Sequence, residues 1–500
     1  MSTAKKFAGQ TAIYGLSTIV SRTLYFILTP IITNILSARV YGIFTKMYSW
    51  ASIFNAILSF GMETTFFRFL NKRSESADKV YSNSFLVVIA ISTVFLTASL
   101  LFAHPIAVWL KTGYNNSLDD YIFYVRCFIY ILVIDAVCAI PFAKLRADNR
   151  PVRYAYIKFF NVVFVVSLNL FLLFGVPYII TNNLPGAVWM QQWYRLHWVG
   201  YVFLSNLIAS GFTLLMLLPE IFQMKLKYDT SILKEMLLYS FPVLVANISF
   251  IINENLDKLL LDKLLPANIS EQEVGIYGAC AKIALFLSIF VQAFRLGAEP
   301  FFFSHSGNKN SAQTYARIMN YFVIAVCLIF VALVANIEIL KYFIRAANPV
   351  QRDIYWSGLK VVPLLLFGYI SLGIYMNLSV WYKLSDQTKY GLYISGVGAV
   401  VTIVLNIIFI PMYSYVASAW ISLLAYSTMM ALSYFWGQKH YPIPYNIKKN
   451  LAYIASSTIV VYLSFVIFKR NIFIGNALLI AYAATAFYFE RKELISIFKR

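Results

Sequence analysis

Long apolar segments separated by short polar connections run through almost the whole 500-residue chain. A membrane-spanning helix needs about 20 mostly apolar residues. Fourteen segments have this length, at roughly 8–35, 41–68, 82–104, 120–142, 154–176, 198–219, 237–261, 275–303, 316–340, 355–381, 389–410, 414–436, 450–468 and 472–489. The connections are too short for a soluble domain, so the pattern predicts an all-α polytopic membrane protein with about 14 transmembrane helices.

One apolar segment occurs twice. Residues 41–67 align without a gap to residues 277–303, and ten of the 27 paired positions are identical. An internal duplication of this kind predicts structural repeats. The pair forms the second and eighth predicted spans, which cross the membrane in the same direction because six spans separate them. We therefore expect two parallel halves related by a pseudo-twofold axis along the membrane normal.

The duplication predicts three parts of the chain. Residues 1–225 form an N-terminal six-helix lobe, and residues 226–440 form a second six-helix lobe. Residues 441–500 contain two additional transmembrane helices outside the repeat. This last pair either packs peripherally or forms a lipid-facing groove.

The charge of the chain agrees with a membrane protein. Charged residues make up 12% of the sequence, about half of the roughly 25% found in soluble proteins. The net charge of +20 would suggest nucleic acid in a soluble protein. Here the rule that cytoplasmic loops carry excess Lys and Arg explains much of it. We expect both termini in the cytoplasm and no nucleic-acid partner.

Several cations fall inside the predicted spans. A charge near the bilayer centre costs at least ~2.5–3.5 kcal/mol on insertion scales, so such residues usually face a water-filled cavity. The candidates for binding an anionic substrate are Arg22, Lys46, Lys282, Arg126 and Arg295. Arg22 lies near mid-membrane, and Lys46 and Lys282 occupy equivalent positions of the repeat. The competing interpretation is that these side chains reach the headgroups.

Acidic residues inside the spans are candidates for ion coupling. Asp135 has no cation within four residues on its own predicted helix, which favours a proton-titrating role. Glu254 and Asp257 are the other candidates. Glu254 stands four residues before Lys258, however, and opposite charges at this spacing can neutralise each other on one helix face.

Glycine and proline mark candidate gates. Gly42 and Gly278 are expected at the outer gate, and Gly61 and Gly297 at the inner gate. Pro30 and Pro242 lie in the first spans of the two halves, where proline permits bending. The cysteines and histidines have no metal-ligand spacing, and the chain has no phosphate-binding loop of the G-x-x-x-x-G-K-[ST] kind. We expect no metal, no cofactor and no ATPase activity.

Three motifs carry a family resemblance. They are Tyr41-Gly42 through Gly61 and Arg68-Phe69, then Leu145-Arg146-Ala147-Asp148-Asn149-Arg150 with Tyr154 and Leu168-Asn169, and then Leu405-Asn406 with Pro411. With 14 spans and a parallel repeat, the chain resembles the multidrug/oligosaccharidyl-lipid/polysaccharide exporter (MOP) superfamily, above all its polysaccharide transporter branch, the O-antigen flippases. One departure follows Pro411, where Ser414 stands in place of the family's glycine.

The resemblance implies a function in the bacterial inner membrane. It implies a flippase, not an enzyme, that moves a polyprenyl-diphosphate-linked oligosaccharide to the outer leaflet for polysaccharide or lipopolysaccharide synthesis. Membrane lipids and polysaccharide polymerase machinery are the implied partners. A lipid II flippase is the main alternative. A multidrug exporter fits less well because cationic drugs favour an acidic cavity. A membrane glycosyltransferase or polymerase also fits less well, because such an enzyme should have a long external loop with acidic catalytic residues.

The predicted topology can be tested by labelling. Single cysteines introduced at Ser76 and at Asn116 should respond differently when intact cells are treated with an impermeant thiol reagent. Position 116 should label because its loop is predicted outside, and position 76 should not. The reverse pattern would invert the topology.

Overall fold

The computed structural model describes residues 26–72, 76–113, 117–225, 227–305, 310–385 and 387–498, and every regular element in these ranges is helical. A helix satisfies its backbone hydrogen bonds internally, as hydrocarbon surroundings require. Eleven of the described helices are long and apolar enough to cross a membrane. The predicted all-α polytopic membrane protein is confirmed, whereas the exact number of 14 spans stays a prediction.

The chain divides into two compact units after Gly278. The helices of the first unit are α1 Phe26–Ile35, α2 Ala38–Ser59, α3 Met62–Lys72, α4 Ala77–Leu101, α5 Ala103–Leu110, α6 Leu118–Ala147, α7 Pro151–Thr181, α8 Ala187–Trp193, α9 Gly200–Phe222, α10 Thr230–Leu264 and the first turns of α11 Ser270–His305. Within α7, the turn Phe171–Gly175 is π-helical.

The second unit begins within α11. Its further long helices in the described part of the chain are α12 Ser311–Ala335, α13 Pro349–Leu384, α14 Lys389–His440, α15 Ile447–Ile467 and α16 Ile472–Phe498. α12 packs against α13, α15 and α16, and α13 packs along α14.

Helix α6 is the centre of the first unit, where it packs against α2, α4, α5 and α9. One of its faces buries Leu132, Ala136, Ile140 and Ala143, which recur every three or four residues and so share one side of the helix. α10 packs along α2. The first unit thus includes α10 and the start of α11, and the predicted lobe boundaries at 225 and 440 stay predictions.

Side chains at the helix starts satisfy amides that have no intrahelical partner. Ser117 accepts from the Asp120 amide at 3.0 Å, and Asp229 accepts from the Ile232 amide at 3.2 Å. The Lys79 ammonium, 2.9 Å from Asp229 Oδ2, and the first amides of α10 hold the pKa of the Asp229 carboxyl below its usual range.

The duplicated segment has a different backbone in each copy. Between α2 and α3 the chain turns at Phe60 and Gly61, whose φ angles are 47° and 65°. A positive φ is strained for residues other than glycine. At the equivalent positions 296 and 297, α11 continues without a break to His305. The repeat therefore preserves sequence but not conformation at this point.

Helix α14 accounts for two of the predicted spans. Its 52 residues would extend ~78 Å at 1.5 Å per residue, far more than the roughly 30 Å of a bilayer core. At Ser414 the backbone leaves helical geometry, with φ 51° and ψ −141°. α14 is therefore two helices joined at this residue, in agreement with the predicted spans 389–410 and 414–436.

The Ser414→Gly variant should be more stable than the natural chain. A non-glycine residue in such a region costs of order 1–3 kcal/mol, and glycine removes most of that cost. We expect a higher midpoint in thermal unfolding of the detergent-purified protein. Ser414→Ala keeps the Cβ and should give no increase, and an equal gain from both variants would contradict the explanation.

Candidate functional site

Polar residues recur at helical spacing on several helices of the first unit. α2 carries Ser52, Asn55 and Ser59, and α9 carries a similar series. Residues three or four apart lie on one helix face. In an otherwise apolar membrane helix, a polar face turns toward the protein interior or toward water rather than lipid.

These faces surround a cavity of ≈ 660 Å³ within the first unit. Its polar lining consists of Ser52, Asn55, Ser59, Glu63, Asp135, Arg146, Tyr154, Lys158, Asn161, Asn206, Ser210, Thr213 and Asn247. Phe142 and Phe250 contribute aromatic surface. The cavity therefore combines four side-chain amides, five hydroxyls and charges of both signs, so it offers hydrogen-bond donors and acceptors throughout.

The charged groups of the cavity are held in fixed positions. Arg146 Nη2 lies 2.5 Å from Glu63 Oε1. The Lys158 ammonium lies 4.2 Å from the centre of the Phe142 ring, within the range of a cation–π contact. Asp135 is exposed and lines the cavity together with Lys158. The structure thus brings the predicted Asp135 together with Lys158.

Hydrogen bonds also orient the amides. Asn161 Nδ2 donates to Thr213 Oγ1 at 2.9 Å, and Asn206 Nδ2 donates to the Tyr48 hydroxyl at 2.8 Å. Both bonds connect different helices. They fix the planes of the two amides, which is the preorganisation that recognition of a polar ligand needs.

Lys46 lies in a separate cluster that is buried from solvent. Its Nζ donates to the Leu110 carbonyl at 2.9 Å, to Thr112 Oγ1 at 3.0 Å and to Asp262 Oδ1 at 3.0 Å, and it lies 3.8 Å from Glu271 Oε1. The Lys46 side chain is 0% exposed. In this conformation the ammonium is neutralised by protein groups.

Helices α2 and α11 are in close contact beside this cluster. A Cβ on Gly42 would lie 1.7 Å from the Glu271 carbonyl oxygen, and a Cβ on Gly275 would lie 1.7 Å from the Ala38 carbonyl oxygen. Only glycine allows the two backbones to approach in this way. The predicted gate residue Gly42 therefore marks the point where α2 crosses α11, and Gly278 lies against Thr45 nearby.

The other predicted acids lie on α10. Asp257 is buried, accepts from the Tyr277 hydroxyl at 2.6 Å and pairs with the Lys258 ammonium at 3.0 Å. Lys258 also donates to the backbone carbonyl of Glu254 at 2.7 Å. The structure thus shows Asp257, the residue before Lys258, as an ionic partner of Lys258. The sequence had indicated Glu254, four residues before it.

In the second unit, a small pocket contains Arg295 and Lys383 together with Asn377. Asn377 is 6% exposed, and its Nδ2 has no hydrogen-bond partner among the described residues. A buried amide donor without an acceptor is costly. The pocket has a volume of only ≈ 20 Å³, which is room for about one water.

The last two helices enclose a largely apolar groove of ≈ 690 Å³. Lys449 and Glu490 form an ion pair of 2.7 Å in its lining, and the Tyr453 hydroxyl donates to Glu490 at 2.8 Å. The remaining lining is mostly alanine, leucine, valine and aromatic side chains.

The remaining predicted residues are dispersed. Arg22 lies outside the described residues. Arg126 is exposed on α6, and Lys282 is half-buried in the second unit. Pro30 lies in α1, and Pro242 in α10 lies beside the contact of Gly61 with Ser240 and Val243. Gly297 lies within α11.

Sequence reasoning missed Lys158, Arg146 and the four amides. Their signal was the spacing of Asn206, Ser210 and Thr213 along an apolar helix, and of Lys158 and Asn161 on α7. Counting charges alone passes over uncharged polar residues, although an amide in hydrocarbon also needs a partner.

Comparisons with known proteins give two family matches. The model described as "Polysaccharide biosynthesis protein" matches residues 7–302, and the MatE model matches residues 235–408. No curated protein sequence gives a significant match.

Solved structures share the fold. The lipid II flippase MurJ in an inward closed conformation has a TM-score of 0.71 at 14% identity, covering 96% of this chain and 99% of that one. An inward-facing multidrug resistance MATE transporter of the MOP superfamily has a TM-score of 0.66 at 14% identity, covering 89% and 99%. A MOP superfamily transporter from Pyrococcus furiosus, described as having a binding pocket of reverse polarity, has a TM-score of 0.60 at 13% identity, covering 86% and 95%.

The Gly42→Ala variant should open the contact between α2 and α11. The added methyl would overlap the Glu271 carbonyl, so the helices have to separate. We expect faster hydrogen exchange in peptides that cover residues 38–46 and 270–278. Gly211→Ala is the matched control, because a Cβ there meets no atom within 4 Å. Equal exchange in both variants would contradict the close contact.

Proposed function

Because the chain belongs to the polysaccharide biosynthesis protein family, we propose that it is a flippase for a polyprenyl-diphosphate-linked oligosaccharide. It moves this lipid from the cytoplasmic to the outer leaflet of the bacterial inner membrane by alternating access, as a transporter without catalytic residues. Both termini then lie in the cytoplasm. The product supplies polysaccharide synthesis, such as that of O-antigen, and polysaccharide polymerase machinery is the expected partner.

The observation that carries the proposal is the polar cavity of the first unit. Sugar hydroxyls both donate and accept hydrogen bonds, and side-chain amides and hydroxyls do the same. Asn161 and Asn206 are held by bonds to neighbouring helices, and Phe142 and Phe250 offer apolar surface beside them. A cavity with this lining suits an uncharged or weakly charged oligosaccharide.

The diphosphate requires cations. Arg295 and Lys383 line one pocket with the unpartnered Nδ2 of Asn377, and this composition supports Arg295 as a phosphate ligand once the pocket, now ≈ 20 Å³, has widened. Arg22, Lys282 and Arg126 remain proposed ligands on the basis of the sequence. Lys46 would become a ligand only after its contacts with Asp262 and Thr112 break.

The polyprenyl chain requires an apolar path. The groove between α15 and α16 has an apolar wall and an ion pair of Lys449 with Glu490 in its lining. We assign this groove to the lipid tail, or to a membrane lipid when substrate is not bound.

Asp135 is the proposed coupling residue. Its carboxylate faces the cavity, with Lys158 close enough to interact electrostatically. Asp257 is instead buried against Tyr277 and Lys258. A group that water reaches from one side can exchange protons with that side, so Asp135 meets the requirement better than Asp257 or Glu254.

Lipid II flipping is the alternative function, because its substrate also has a polyprenyl diphosphate. Multidrug export fits the cavity less well, since Arg146 and Lys158 balance Glu63 and Asp135 and leave no acidic excess for a cationic drug. A comparison of the two lipids in one assay distinguishes the flippases.

The Asn161→Leu variant should lose transport while remaining folded. Each hydrogen bond to an uncharged group is worth ~0.5–1.5 kcal/mol, so we expect roughly a 2- to 10-fold loss of flipping per amide, and a larger loss for Asn161→Leu with Asn206→Leu. The measurement is the flipping of a labelled lipid-linked oligosaccharide in proteoliposomes.

Asn169→Leu is the matched control. Asn169 lies on the same helix, is buried, and donates only to the Val165 carbonyl among the contacts in the described chain. It should retain flipping. Equal activity of the Asn161 and Asn169 variants would contradict a sugar site in the cavity, and flipping of lipid II in preference to the oligosaccharide lipid would favour the alternative.

A further inference from the structure

Besides the polar cavity, the first unit contains an apolar cavity of ≈ 430 Å³ between α2, α4, α5 and α6. The described residues that line it include no charged side chain, and Ser99 supplies the only hydroxyl among them. The two cavities share no lining residue, since α2 contributes Ser52 and Asn55 to the polar cavity and Trp50 to the apolar one. The aromatic members of the apolar lining are Trp50, Phe54, Phe95, Phe102, Trp109 and Phe128.

The apolar cavity lies beside an exposed apolar surface. Phe102 and Trp109, which belong to its lining, are 60% and 53% exposed. Val94 and Leu101 on α4 and Val108 on α5 are also exposed, outside the lining. In a membrane bundle, an apolar helix surface of this kind faces the lipid chains. A lipid can therefore reach the cavity from the surrounding membrane.

The lining and the volume of the apolar cavity define its occupant. Water in a cavity needs two to four polar partners, which this lining does not offer, so the occupant is apolar. On the scale of a ~150 Å³ cavity that binds one benzene, ≈ 430 Å³ holds roughly 17 carbon atoms. This is about the size of one phospholipid acyl chain.

One end of the apolar cavity is next to cations. The Lys263 ammonium lies 4.2 Å from the centre of the Trp109 ring and donates to the Trp109 carbonyl. The Trp109 ring in turn contacts the Trp50 ring, with 5.2 Å between their centres. Trp109 therefore connects the apolar lining to an exposed ammonium. Lys111 directly follows Leu110, another residue of the lining.

These two cations are available to an external anion. Among the described residues, neither Lys111 nor Lys263 has a carboxylate within 4 Å. Asp262, which precedes Lys263 in the chain, is 1% exposed and pairs with Lys46 at 3.0 Å. The phosphate of a phospholipid is attached at the polar end of its acyl chains, and an anionic headgroup adds no positive charge to balance it. The arrangement of an apolar cavity beside two cations is complementary to such a lipid.

We propose that the apolar cavity binds one acyl chain of an anionic phospholipid, and that Lys263 and Lys111 hold the phosphate of this lipid. The site is distinct from the polar cavity and from the groove between α15 and α16, and it requires no transported substrate. Leu110 lines the site and also gives its carbonyl to Lys46. A bound lipid should therefore stabilise the packing of α5 against α2.

Photo-cross-linking locates the acyl chain. The full chain is placed in phosphatidylcholine nanodiscs with a trace of phosphatidylglycerol that carries a diazirine on one acyl chain. After irradiation, cross-linked peptides should cover residues 47–54, 95–110 and 125–132. Ala98→Trp places a large side chain in the cavity and should remove most of these cross-links, because the acyl chain loses its space.

Val94→Trp is the matched control for this experiment. Val94 is exposed on the same helix but does not line the cavity, so its variant should cross-link as the natural chain does. Thermal unfolding of each variant verifies the fold. If Ala98→Trp does not fold, Ile106→Trp replaces it, since Ile106 also lines the cavity.

Competition measures the role of the cations. Unlabelled phosphatidylglycerol should displace the probe better than phosphatidylcholine with the same acyl chains, by about fivefold for each lysine near the phosphate. Lys263→Gln and Lys111→Gln should each reduce this preference by about that factor. Lys72→Gln should not, because Lys72 is an exposed cation at the end of α3, a helix that does not line the cavity.

Four results would overturn the phospholipid site. The first is a natural chain without cross-links in the three peptides. The second is an Ala98→Trp variant, shown to be folded, that keeps them. The third is equal competition by the two phospholipids, which would mean that the cations do not hold the phosphate. The fourth is displacement of the probe by a polyprenyl diphosphate in preference to phosphatidylglycerol, which would make the cavity part of the substrate path.

Discussion

A polar side chain inside a membrane bundle has to find its partner in the protein or face water. The first unit uses both solutions, and most of its architecture follows from them. Around Lys46, on α2, the protein supplies the partners of the ammonium from α5, α6, α10 and α11. Around Asp135 the helices stay apart and leave a cavity of ≈ 660 Å³.

The two solutions have different consequences for motion. A cluster that pairs a buried ammonium within the protein resists opening, because separated partners lose their contacts before water replaces them. An open cavity presents polar groups that a ligand can engage without breaking the bundle. The cluster is therefore suited to hold helices of the unit together, while the cavity is suited to bind a polar ligand.

Much of the fold could be predicted from the sequence, because span length and helical periodicity depend on local composition. The site could be predicted only in part. Asp135 was found because an isolated carboxylate in an apolar segment is conspicuous. Lys46 stood out for the same reason, but its partners Asp262 and Glu271 lie more than 200 residues away, and no local pattern connects them. The break at Gly61 and the unbroken helix at Gly297 could not be predicted either, since a glycine stands at both places.

This difference between the copies determines which substitutions each copy of the segment tolerates. Gly61 occupies a backbone region that most residues avoid, so almost any substitution there is penalised at once. Gly297 lies in a continuous helix, where alanine would be favoured over glycine by about 1 kcal/mol. The two glycines at equivalent positions of the repeat therefore differ: the backbone favours glycine at position 61 and disfavours it at position 297. One copy shows what the segment looks like when bent, and the other shows it straight, so a single chain displays both shapes that its repeated sequence permits.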